Sequence, residues 1–177
     1  MSKEIPNALR QNISIITVGG AHAYIFLPLL NFFEIKTLII TDIDIKKDES
    51  TKTTNTTLKK MLKKDSIDDL KALSIEQSTI NNICITYQKD GTSSFEDNFY
   101  KKNKNFILNN KEKFNSIKNK SELESYGKDK DNVKFTDKHI SKKTDFAIDI
   151  LFYSDDKNLS WEIPDYIKEG LEWLLKQ

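Results

Sequence analysis

Two short apolar runs rich in β-branched residues, at 13–18 (ISIITV) and 35–40 (IKTLII), are separated by an apolar segment at 21–33. That spacing constrains the fold more than any other feature of the chain. A run without polar alternation suits a strand covered on both faces, and parallel neighbours need a crossover between them. Residues 21–33, with Tyr24, Phe26, Leu27, Leu30 and Phe33 as apolar faces, read as the crossover helix, which Pro28 is expected to kink or to disturb in its first turns. A third strand is expected at 80–87. The pattern predicts an α/β fold: a parallel sheet flanked by helices.

The remainder reads as mainly helical. Short helices are expected at 56–64 and 66–73, and a longer one at 94–108 with Ser93 or Ser94 as its cap. Residues 143–153 place Phe146, Ile150 and Tyr153, with Ala147 and Leu151, at helical spacing. Pro164 suits the first turn of a final helix whose Ile167, Leu171, Leu174 and Leu175 form a stripe, with Trp161 and Trp173 anchoring its packing. The polar stretches 46–55 and 115–141 read as loops. At 177 residues the chain fits a single domain. Its parts are an α/β core at 7–110, a variable Lys/Asn-rich insert at 111–141 and C-terminal helices at 142–177.

Composition narrows the function classes. The chain has 28 basic and 27 acidic residues, so a uniformly basic nucleic-acid binder is excluded. Arg10 is the only arginine among the basic residues. Charge is uneven locally. Residues 46–64 carry seven lysines against two acids and residues 100–120 seven against one, whereas 144–177 carry eight acids against three lysines. The two basic segments suit either a phosphate backbone or solvated helix faces. One cysteine, Cys84, excludes an internal disulfide and any cysteine-based zinc site; flanked by Ile83 and Ile85, it reads as a buried hydrophobe. No signal peptide is visible, and the apolar stretch 23–33, broken by Pro28 and Asn31, is too short for a membrane span. A reducing, cytoplasmic setting is expected.

The strongest chemical feature is Thr41-Asp42-Ile43-Asp44, directly after the second apolar run. Parallel α/β sheets bind ligands at the carboxyl ends of their strands. If the strand continues, residues two apart share a face, and two carboxylates there suit Mg²⁺ or Mn²⁺. A polar strand exit is the competing reading. Gly19-Gly20 follows the first run and permits either close ligand approach or a simple turn. Glu96 is either a ligand or a favourable charge at a helix start, and Lys142 and Lys143 precede an apolar helix. His22 and His139 show no metal spacing.

Taken in order, ISIITVGGAHAYIF, LIITDID, TTN, TYQ with SFEDNF, KKTDFAIDIL and WEIPDYIKEGLEWL resemble the C-terminal Toprim domain of the overcoming-lysogenization-defect (OLD) family of ATP-dependent endonucleases. The resemblance spans about residues 7–110 and 140–177. It implies a Toprim-like fold paired with an ABC-type ATPase domain or subunit, an oligomeric assembly, and DNA cleavage with Mg²⁺ or Mn²⁺, in many members linked to phage defence. By the same resemblance, Asp42 and Asp44 match the metal-holding DxD, and Glu96 matches a second-metal ligand. Lys143 matches the lysine that stabilises the charged transition state, and Gly19 and Gly20 match the glycines beside the site.

The chain also departs from the family pattern. A Toprim site begins with a strand ending in Glu-Gly, and none precedes Ile13; Thr17 stands where members are expected to carry Glu. His22 and Tyr24 stand exchanged relative to the expected order. The sheet is therefore expected to lack its first strand and to leave an edge that a partner chain, a second copy or residues 1–11 must cover. Two functions follow as expectations: a metal-dependent DNA endonuclease domain, or a catalytically incomplete module that docks to an ATPase or nuclease partner.

Overall fold

The computed structural model describes residues 12–18, 20–45, 51–124, 134–154 and 161–176. Arg10, Gly19, residues 46–50 of the first basic segment and residues 125–133 of the insert lie outside these. The fold is mixed α/β and comprises two compact units, residues 1–93 with 163–177, and residues 94–162.

The first unit carries a three-stranded sheet in the order β1-β3-β2, with β1 at Thr37–Ile40, β2 at Thr79–Ile80 and β3 at Ile83–Thr86. β1 and β3 pair in parallel, Leu38 opposite Cys84. β2 and β3 form a tight antiparallel hairpin in which Asn81 takes a left-handed conformation, one that Asn tolerates. The sheet is thus mixed, and the expected single strand at 80–87 is a hairpin followed by an extended exit.

The crossover also divides. A 3₁₀ turn covers Gly20–Phe26 and helix α1 covers Leu27–Phe33, with Pro28 in its first turn. Proline lacks the N–H that an interior helical position donates, so the helix restarts there. Tyr24, Leu27 and Leu30 pack on the core, while Phe26 and Phe33 are exposed.

Residues 13–18 are not a strand, which corrects the sequence expectation. Ile15 and Ile16 are 86% and 80% exposed. Strand-forming composition needs a ladder partner, and among the described residues the sheet ends at β1. The amides of Thr37 and Thr41 donate to the β3 side, to the carbonyls of Asn82 and Thr86. By alternation, Leu38 and Ile40 present their amides and carbonyls to the open edge of β1.

Beneath the sheet, Ile39, Ile43, Leu58, Met61, Ile67, Leu70, Ile83, Ile85 and Tyr87 form one core. A π-helical turn at Leu58–Leu62 and helix α2 at Ile67–Lys71, capped by the Ser66 hydroxyl, supply part of it. Cys84 is fully buried, and burial pushes its thiol pKa up, as befits an inert hydrophobe.

The C-terminal helix α7, Asp165–Leu175, returns to the first unit and packs on β1 and β3. Its buried residues are Tyr166 and Gly170, not the leucine stripe, whose members are only half-buried. A side chain at Gly170 would put its Cβ 2.7 Å from Leu38 Cδ1 and 3.0 Å from Thr86. Glycine therefore sets how closely α7 approaches the sheet.

The second unit is helical: α3 at Phe95–Lys102, α4 at Lys104–Asn110, α5 at Phe135–His139 and α6 at Lys143–Phe152. Asn103 breaks the expected single helix between α3 and α4; its side chain exchanges hydrogen bonds with the Glu162 backbone, donating at 2.9 Å and accepting at 2.7 Å. The core is aromatic, with Phe99, Phe106, Phe114, Phe135 and Phe146 in edge or tilted contact and Trp161 against Phe99. Ile117, Leu123, Phe135 and Ile140 come from the stretch read as a polar loop, and Phe114 directly precedes it. Sparse apolar residues among lysines and asparagines concealed its part in the core.

Candidate functional site

The carboxylate segment lies where β1 ends. The strand stops at Ile40, so strand periodicity does not place Asp42 and Asp44 as expected. Asp44 instead turns left-handed at φ 51°, a conformation that Asp adopts more readily than most residues. Ile43 between them is fully buried in the core, which holds the segment and leaves Asp42 and Asp44 half-buried. Burying that one side chain contributes about 1.5–3 kcal/mol.

Residues 53–57 (TTNTT) bind this segment side chain by side chain. The Thr53 hydroxyl donates to the Ile43 carbonyl, and the Thr54 hydroxyl donates to the Asp44 carbonyl at 3.1 Å. The Asn55 amide donates to Thr41 Oγ1 at 2.8 Å, to the Asp42 carbonyl at 2.7 Å and, more weakly, to Asp44 Oδ2 at 3.4 Å. Its Oδ1 accepts from the Leu58 amide at 3.1 Å. Thr57 donates to the Ala21 carbonyl at 2.9 Å and accepts from the Tyr24 amide at 3.3 Å. One short segment thus ties the carboxylates and the Gly20 turn together.

The opposite support comes from the exit of β3. Gln88 Oε1 accepts from the Ile43 amide at 2.8 Å, and its Nε2 donates to Asp42 Oδ1 at 2.6 Å and to the Tyr166 hydroxyl at 3.1 Å. Tyr87, on the other face, donates its hydroxyl to the Leu70 carbonyl at 2.9 Å. Asn55 and Gln88 are both fully buried. Their blocks, TTN and TYQ, stand in the sequence resemblance, but neutral amides in polar surroundings gave no sign of a role.

In the second unit, Glu96 lies in the first turn of α3 and Lys143 opens α6. Lys143 Nζ is 3.0 Å from Glu96 Oε2, with the carboxylate buried and the lysine more than half exposed. The neighbouring Asp97 has a different task. Its Oδ1 accepts from the Thr136 amide at 2.9 Å and hydroxyl at 2.8 Å, and its Oδ2 from the Ser94 hydroxyl at 2.9 Å. Asp149 Oδ2 accepts from the Ser116 amide at 2.9 Å and hydroxyl at 2.6 Å. His22 is exposed, whereas His139 is buried with Nδ1 3.2 Å from the Lys118 carbonyl.

Among the described residues, no three His, Cys, Asp or Glu side chains converge as a metal cage. Two half-buried carboxylates are nevertheless the donor set that Mg²⁺ or Mn²⁺ takes when it keeps several waters and accepts phosphate oxygens. Asp42 and Asp44 fit such an ion in ligand type and charge. Among the described residues no helix is long and apolar enough to cross a membrane.

Two comparisons bear on the family. The model of the overcoming lysogenization defect protein-like Toprim domain matches residues 2–44. The chain is also 35% identical over 190 residues to Endonuclease GajA of Bacillus cereus (strain HuB5-5), covering 93% of this chain and 27% of that protein. It therefore spans about a quarter of the length of this relative. No solved structure matches it significantly. Residues 2–44 are thus similar to the Toprim domain of the OLD-like proteins, and the chain is similar to part of an endonuclease.

Proposed function

We propose that the chain is a divalent-metal-dependent DNA endonuclease domain, hydrolysing phosphodiester bonds as part of an OLD-like nuclease that works with an ABC-type ATPase domain or subunit, with phage defence as its setting. The observation that supports this best is the Asp42–Asp44 pair at the carboxyl end of β1, supported by hydrogen bonds from both sides. The relative's name, an endonuclease, agrees with it.

Roles are assigned pair by pair. Asp42 and Asp44 hold Mg²⁺ or Mn²⁺ through their carboxylate oxygens. Such an ion supplies Lewis acidity toward the phosphoryl group and makes water a stronger nucleophile near neutral pH. Glu96 serves as a ligand to a second ion. Lys143 donates to the phosphoryl oxygens as charge builds on them; without DNA, its ammonium group neutralises the Glu96 carboxylate. Thr57, two residues after Asn55, bonds the Gly20–Phe26 turn.

The test is nicking of supercoiled plasmid with Mn²⁺ by the chain alone and with its ATPase partner. Loss of nicking in Asp42→Ala and Lys143→Ala is expected; activity unchanged in both overturns the assignment.

A second reading has its own support. Ile15, Ile16, Ile25, Leu29, Phe32 and Phe33 are exposed in the first unit, and large exposed apolar side chains, where they adjoin, mark interaction surfaces. This favours an assembly module that docks to an ATPase or nuclease partner or to a second copy. Sedimentation of the chain, alone and with the partner, as a monomer at every concentration contradicts it.

A further inference from the structure

We propose that Asn55 and Gln88 are positioning residues that set the Asp42 and Asp44 carboxylates for a divalent cation. The inference rests on the metal-binding reading above and deepens it. The loop from Thr41 to Asp44 belongs to no strand or helix, and its last residue is left-handed. Backbone pairing alone therefore does not orient its side chains.

Two buried amides supply what the backbone does not, and a backbone N–H fixes the orientation of each. Asn55 Oδ1 faces the Leu58 amide, so Nδ2 must face Thr41, Asp42 and Asp44. Gln88 Oε1 faces the Ile43 amide, so Nε2 must face Asp42 Oδ1 and Tyr166. Both N–H groups of Gln88 and its carbonyl oxygen thereby have partners.

The chemistry suits neutral donors. A carboxylate offers about four lone-pair positions, and one amide hydrogen bond occupies a single one of them. An amide fixes the rotamer and leaves the negative charge intact for a cation. A lysine in its place would orient the carboxylate equally well but cancel the charge. Partners of this kind, bonded to metal ligands, typically change metal affinity by about 10–100-fold when removed.

Mn²⁺ titration of the 177-residue chain, followed by the electron paramagnetic resonance signal of free Mn²⁺, tests this. Each variant is measured at a temperature where circular dichroism shows it folded. Asn55→Ser keeps an oxygen for the Leu58 amide and removes the NH₂ group that reaches Thr41, Asp42 and Asp44; Gln88→Met keeps the volume and removes every hydrogen bond. The dissociation constant is expected to rise by about 10–100-fold in each. Tyr166→Phe, which spares the Gln88–Asp42 bond, is expected to stay within about twofold of wild type. If Gln88→Met does not fold, Asn55→Ser carries the test. Affinities unchanged in the amide variants, with binding lost in Asp42→Asn, overturn the positioning role and keep the metal site. Wild type binding no better than Asp42→Asn overturns the metal reading, and this inference with it.

Discussion

One pair of carboxylates in each unit is held in a way opposite to the other. In the second unit, Asp97 and Asp149 each accept a backbone amide and at least one hydroxyl, and both are buried. In the first, Asp42 and Asp44 are half-buried at a strand exit and receive side-chain amides. On the proposed function, this difference separates acids that hold the fold from acids that hold a ligand. An acid that holds a backbone N–H joins segments of chain, whereas one oriented by a neutral amide at a strand end is suited to take a ligand. Sequence alone does not assign Asp97 and Asp149 to the structural side, because they stand in the same blocks, SFEDNF and KKTDFAIDIL, as Glu96 and Lys143.

Substitutions test the contrast from both sides. The largest effect is expected at the chemical pair. Asp42→Asn or Asp44→Asn should lower the nicking rate by at least about a thousandfold, about 4 kcal/mol of activation free energy, while shifting the thermal midpoint little. A large loss of midpoint with residual activity would move these residues to the structural class. Asp149→Ala should do the reverse. It leaves the buried Ser116 amide and hydroxyl without their acceptor, a cost of about 3 kcal/mol in denaturant unfolding. An unchanged unfolding curve would break the comparison.

Smaller effects sharpen it. Gly170→Ala drives a Cβ into Leu38 and Thr86 and should cost about 1–3 kcal/mol. Full stability in this variant would show that α7 yields freely. Lys143→Ala should abolish nicking and also cost about 1–3 kcal/mol, because it leaves the buried Glu96 carboxylate without its cation; full stability would show that Glu96 does not depend on it.

The smallest effect concerns His139. Burial holds its pKa below the ordinary 6.5, against the Lys118 carbonyl, which favours the charged form; Lys138 and Lys118 add to the lowering and Glu122 opposes it. The unfolded chain therefore binds the proton first as pH falls. The stability present above about pH 6.5 is lost as pH falls through the folded-state value. Denaturant midpoints between pH 7 and 5 should decline in wild type and flatten in His139→Gln; equal slopes would remove His139 from the account.

Much of this was legible in the sequence, and the misses share a cause. Asp42 and Asp44 stand out because charge directly after an apolar strand is conspicuous. Cys84 and Pro164 declare themselves by their neighbours, with Pro164 immediately preceding α7. Residues 13–18 misled because β-branched composition reports the ability to form a strand, not the presence of a partner. Phe114, Leu123 and Phe135 hid because their apolar neighbours are distant in sequence. Asn55, Gln88 and Gly170 hid because their value lies in what they touch: two amides without charge and one residue without a side chain.

The central claim is that the Asp42–Asp44 pair holds a divalent cation. Isothermal titration of the 177-residue chain with Mn²⁺, wild type against the double variant Asp42→Asn/Asp44→Asn, measures it directly. The account predicts saturable binding in wild type and none in the double variant, with matched circular dichroism spectra. Equal binding by the two proteins would contradict it.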